Sequence, residues 1–126
     1  MLSTFTGDVR ADAESLAVRI LPPERLTTGD HVEVIVEVDV SACEGQPLIL
    51  TPTSEGDAVE VVRGRFLRED GVLNAHTLRF RVPIVAASAG NSVFRVRVTS
   101  YACRTRCRAI EGDGFVVLRA APRSSA

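Results

Sequence analysis

The chain has 126 residues, 45% hydrophobic and 25% charged, with a formal net charge of −1; this is the size and balance of one globular domain, and it offers no global field to recruit nucleic acid or an anionic membrane surface. All 15 basic residues are arginine, which excludes a lysine Schiff base or a lysine nucleophile. The longest apolar runs, about four residues as in "IVAA", fall far short of the roughly 20 that a membrane-spanning helix requires, so no membrane insertion is expected.

Residues 1–12 ("MLSTFTGDVRAD") carry no apolar h-region and read as a flexible N-terminal segment. A single domain is expected over residues 13–121 and a flexible tail over 122–126. If Met1 is the native start, the expected location is the cytoplasm; if a leader has been removed, it is the periplasm or the extracellular space. The cysteines carry different meanings in the two settings.

From there the dominant signal has period 2, the mark of strands with one face buried. A first, weak strand is expected at residues 15–21. The strongest follows at "HVEVIVEVDV" (residues 31–40), where Val32, Val34, Val36, Val38 and Val40 share one parity and Glu33, Glu37 and Asp39 the other. Weaker strands are expected at residues 47–51 and 58–66. "TLRFRV" then turns Leu78, Phe80 and Val82 inward and Arg79 and Arg81 outward, and "FRVRVTSY" does the same with Phe94, Val96, Val98 and their arginine neighbours Arg95 and Arg97. A last strand is expected at residues 114–119. The turn signals "PPERLTTGD", "ACEGQP", "SEGD", "REDG", "ASAGN" and "EGDG" separate these runs. About seven short strands with polar outer faces predict an all-β, immunoglobulin-like, two-sheet antiparallel sandwich. In that topology the acidic face of the strand at 31–40 lies beside the basic face of the strand starting at Thr77. Each exposed cross-strand pair contributes only a few tenths of a kcal/mol, but several together help to fix register.

The chain has no tryptophan, and no cysteine lies within residues 31–40, so the resemblance is to the broad immunoglobulin-like class rather than to antibody domains. Bacterial accessory modules and macroglobulin-type domains share this look.

Chemistry concentrates in "SYACRTRC", residues 100–107. In an extended strand Cys103 and Cys107 would lie about 13 Å apart, whereas a disulfide needs Cα atoms within about 7 Å. They bridge only if the chain turns after Tyr101. Alternation stops there, and "ACRTRCRAIEGD" is expected to form a loop of about twelve residues. Arg104, Arg106 and Arg108 in that loop would stabilise a thiolate. Cys43 reads as an inert thiol; a zinc site would require it to join Cys103, Cys107 and a histidine. His31 and His76 read as solvated strand-end residues. No G-x-S-x-G elbow, P-loop or dinucleotide fingerprint is present.

The run "FRVPIVAASAGNSVFRVRVTSYACRTRC", residues 80–107, resembles the end of the N-terminal periplasmic domain of the DsbD thiol:disulfide interchange family. That resemblance implies an immunoglobulin-like sandwich with a redox-active cysteine pair after a strand ending in tyrosine, positions held here by Tyr101, Cys103 and Cys107. Two functions are therefore carried forward. The first is a non-enzymatic module that binds a protein partner through Tyr101, Arg104, Arg106 and Arg108. The alternative is a thiol–disulfide exchange domain with Cys103 and Cys107 as its catalytic pair. Neither calls for a metal, a cofactor or nucleic acid, and the sequence leaves the oligomeric state open.

Overall fold

A computed structural model of the chain describes residues 15–123, and the segment 1–12 lies outside them. Among the described residues nine strands form two antiparallel sheets. β1 (Val18–Leu21), β2 (His31–Asp39), β7 (Thr77–Ala86) and β4 (Val59–Val61) run side by side in the first, and β6 (Val72–Asn74) also pairs with β7. β5 (Phe66–Leu67), β3 (Ile49–Glu55), β8 (Gly90–Cys103) and β9 (Cys107–Ala120) form the second in that order. Among the described residues helical structure is confined to two 3-10 turns, Ser41–Cys43 and Arg68–Asp70, and no helix is long and apolar enough to cross a membrane.

The core lies between the sheets and follows from strand parity. Val34, Val36 and Val38 of β2 lie beside Phe80, Val82 and Ile84 of β7 on one sheet and face Phe94, Val96 and Val98 of β8 on the other, all buried. Phe66 packs edge-on against Phe80, with ring centroids 6.1 Å apart. Two buried serines are satisfied. Ser92 Oγ accepts the amides of Ala58 and Val59, joining β8 to the start of β4 across the sandwich, and Ser100 Oγ donates to the Pro47 carbonyl.

β2 and β7 do lie side by side, with Glu37 opposite Arg79. Arg81 reaches diagonally to Glu33 at 3.3 Å, and Arg19 of β1 approaches Glu37 at 3.9 Å. Asp39 does not join this pattern. Its carboxylate accepts from the backbone amide and hydroxyl of Ser41, closing the turn after β2.

Three expectations are corrected. The strand expected at 58–66 is two strands in different sheets, because the polar "RGR" between Val61 and Phe66 carries the chain across the end of the sandwich. With β6 added, the expected seven strands become nine. The long loop after Tyr101 is strand instead: β8 runs on to Cys103 and β9 begins at Cys107, paired residue by residue. "EGDG" is accordingly no turn but the middle of β9. Its two glycines point inward, where the N-terminal segment crosses. A Cβ on Gly112 would overlap the Leu16 carbonyl, and one on Gly114 would touch Val18 and Ile20.

Candidate binding site at the hairpin tip

The tip is the end of the β8–β9 hairpin, where the two strands outrun the core. Cys103 and Cys107 face each other in the ladder with Cα atoms 4.0 Å apart, and they form a disulfide. Such an approach is natural in the pairs of an antiparallel ladder that do not exchange backbone hydrogen bonds, where the side chains lie closest. The chain reverses over residues 104–106, so the bridge arises from a tight hairpin rather than from a loop beginning at Tyr101.

Parity separates the predicted site residues. Tyr101, Cys103, Cys107 and Ala109 share the outer face of the sheet, whereas Ala102 and Arg108 point to the inner side. There the tip overhangs the 3-10 turn after β2. The two enclose a largely polar cleft of about 940 Å³, walled by residues 102–108 on one side and by Ser41, Glu44 and Gln46 on the other. Arg104, Arg106 and Arg108 all line it, and Tyr101 does not. Arg104 and Arg106 are exposed, and among the described residues neither has an acidic partner. Two like charges at one tip repel each other, and an anion placed between them relieves that repulsion.

The facing wall was hidden in "ACEGQP", which reads only as a turn. Glu44 pairs with His76 Nδ1 at 3.0 Å, and Arg68 donates to the Cys43 carbonyl at 2.8 Å. The first contact holds the turn against the start of β7, and the second holds it against the 3-10 turn Arg68–Asp70. Ser41 sits beneath the cleft, and its two hydrogen bonds to Asp39, the backbone amide's first, hold that carboxyl below its usual range. Cys43 is a free, buried thiol in the core. Among the described residues no three histidine, cysteine or acidic side chains converge as a metal site, and the sulfurs of Cys103 and Cys107 are bonded to each other.

No family model matches the chain, and no curated protein does either; the likeness to the DsbD domain thus rests only on the residues that suggested it. Among solved structures the chain is similar to native α2-macroglobulin from Escherichia coli, in a structure spanning domain MG7 to the C-terminus. The identity is 13% and the TM-score 0.59, over 87% of this chain and 17% of that one. The chain thus spans about a sixth of that protein's resolved length. A conjugative transposon lipoprotein from Bacteroides eggerthii aligns at 20% identity and a TM-score of 0.42, over 78% of this chain and 94% of the other. With two antiparallel sheets and a macroglobulin segment as structural neighbour, the chain folds as an immunoglobulin-like β-sandwich.

Proposed function

We propose that the chain is a non-enzymatic binding module whose disulfide-closed hairpin tip engages an acidic segment of a protein partner. One observation carries this reading: Arg104 and Arg106 project into a preformed polar cleft, and among the described residues neither has a counter-charge of its own. The disulfide limits the motions of the tip, so little ordering entropy is lost on binding. Tyr101, nearly half exposed on the outer face, supplies an adjoining aromatic contact. The bridge also favours an oxidising compartment, outside the cytoplasm. The test is fluorescence anisotropy with a labelled Asp/Glu-rich decapeptide. The double variant Arg104→Glu/Arg106→Glu is expected to abolish binding that Tyr101→Ala only weakens. Equal binding by the double variant overturns the reading.

A second reading is thiol–disulfide exchange, favoured by the exposure of Cys107 within the bridge. A partner dithiol would attack the Cys107 sulfur and expel Cys103 as thiolate. The partner's second thiol would then release the reduced protein and leave the partner oxidised. In the reverse direction Cys103→Ser traps the mixed disulfide on Cys107. Failure to trap a partner, together with peptide binding that Cys103→Ser/Cys107→Ser weakens but does not abolish, favours the binding module.

A further inference from the structure

Among the described residues β9 is the last strand of its sheet, and its outer edge is open over a defined window. Backbone pairing to β8 is continuous from Cys107 to Ala120, so alternate residues of β9 aim their amide and carbonyl away from the sheet. The chain itself occupies two of these outward positions. Leu16 donates to the Glu111 carbonyl; Ala121 donates to Leu26 and accepts from Thr28. Between them lie Asp113, Phe115, Val117 and Arg119, and among the described residues no backbone bond reaches their outward groups. An open edge of this kind is a template for another strand.

The side chains of the same four residues stand on the outer face. Phe115 and Val117 are each 60% exposed, unusual for large apolar residues, and Arg95 covers only one side of the Phe115 ring, at 5.2 Å. Asp113 and Arg119 have no ion-pair partner among the described residues.

This window is complementary to itself. Its two closed ends, at Glu111 and Ala121, are equidistant from Val116. An antiparallel pairing of two β9 edges about a two-fold axis at Val116 sets Phe115 against Val117 of the second copy, and Asp113 against Arg119 of the second copy. Every one of these contacts occurs twice by symmetry. The outward backbone groups of all four residues then pair with outward groups of the other copy. Apolar side chains meet at the centre and opposite charges at both rims, the arrangement that stabilises cross-strand neighbours.

We infer that two copies of this chain associate edge to edge through the segment from Asp113 to Arg119 of β9, joining their four-stranded sheets into one continuous eight-stranded sheet. The hairpin tips then point away from each other at the two ends, leaving both clefts free. This surface is separate from the tip, and the inference does not depend on what the tip binds.

Sedimentation equilibrium of the full chain over a wide concentration range tests it. A reversible monomer–dimer equilibrium is expected. Val117→Pro removes an amide that points outward and takes no part in pairing to β8. Proline is tolerated at such an edge position, so the variant is expected to stay folded by circular dichroism and to be monomeric. Asp113→Arg places like charges opposite Arg119 at both rims and is expected to weaken the dimer about tenfold. The double variant Asp113→Arg/Arg119→Asp is expected to recover it. These exposed charge changes also serve if Val117→Pro fails to fold. A monomer at every concentration, a dimer indifferent to both single variants, or a double variant that stays as weak as Asp113→Arg overturns the inference.

Discussion

Gly112 on β9 lies against the carbonyl of Leu16 so closely that no side chain fits between them. The same crossing is tied by the hydrogen bond from Leu16 to Glu111, one position before the glycine. A methyl group at Gly112 must push the backbone at Leu16 away and break that closure. Gly112→Ala is therefore expected to destabilise the fold by about 2 kcal/mol or more, the scale of overpacking against an unyielding neighbour. Gly64→Ala, where an added Cβ meets nothing, is the control and is expected to be near neutral. Urea unfolding of the two variants gives the comparison.

Ser92 is the second fixed point. Its hydroxyl oxygen is the acceptor for two buried amides, those of Ala58 and Val59, at 3.0 and 3.1 Å. Ser92→Ala leaves both amides without a partner, and the expected loss is about 2–3 kcal/mol. Ser54→Ala removes a hydroxyl that donates to a single, partly buried carbonyl and is expected to cost about 1 kcal/mol or less. Chemical denaturation reads both. A Ser92 variant as stable as the Ser54 variant contradicts the account.

The disulfide closes a very short segment, with a sequence separation of 4. Chain entropy then limits its contribution to about 2 kcal/mol, and it sits beyond the core. Reduction is expected to lower the urea midpoint modestly and to leave the sandwich folded, since Cys103 and Cys107 lie outside the buried core cluster. In unfolded protein, thiol titration without reductant is expected to count Cys43 alone, and after reduction all three cysteines. Three free thiols in protein purified without reductant would contradict the bridge.

Asp39 sets an acid-side dependence. Bonds from the Ser41 amide, and secondarily from its hydroxyl, depress the folded-state pKa below the ordinary value of 3.8. A depressed carboxyl stabilises the fold above its unfolded pKa, and that contribution is lost as pH falls through the lower, folded value. Stability is therefore expected to decline below about pH 4, and Asp39→Asn is expected to flatten that decline while changing little at neutral pH beyond a constant offset. Thermal melts between pH 2 and pH 7 provide the check.

The strands that bury one whole face were plain in the sequence. β2 and β7 alternate without interruption because every second residue meets the core, and their acidic and basic outer faces foretold the pairing. β9 was missed over its first half for the same physical reason. From Cys107 to Gly114 only Ile110 enters the core; elsewhere the strand overhangs it or takes the crossing of Leu16 and β1, so it needs small, polar or glycine residues where a strand pattern wants bulk. "EGDG" then looks like a turn, although backbone pairing to β8 holds it extended. On spacing alone the bridge between Cys103 and Cys107 is geometrically conditional, and a hairpin rather than a loop meets the condition. The opposing wall of the cleft, Glu44 and Gln46, carried no signal, because proximity across sheets is not written in local spacing.

Cys43 gives the molecule a clock. With the other two sulfurs bonded to each other, it is the one free thiol; it ends the 3-10 turn that follows β2, with its side chain buried. A reagent added to the native protein can label it only while that region is open, so the labelling rate measures how often the end of the sandwich breathes. If an acidic peptide braces the cleft that this turn walls, labelling slows in its presence, and occupancy of the tip becomes readable as a rate at a buried thiol beside it.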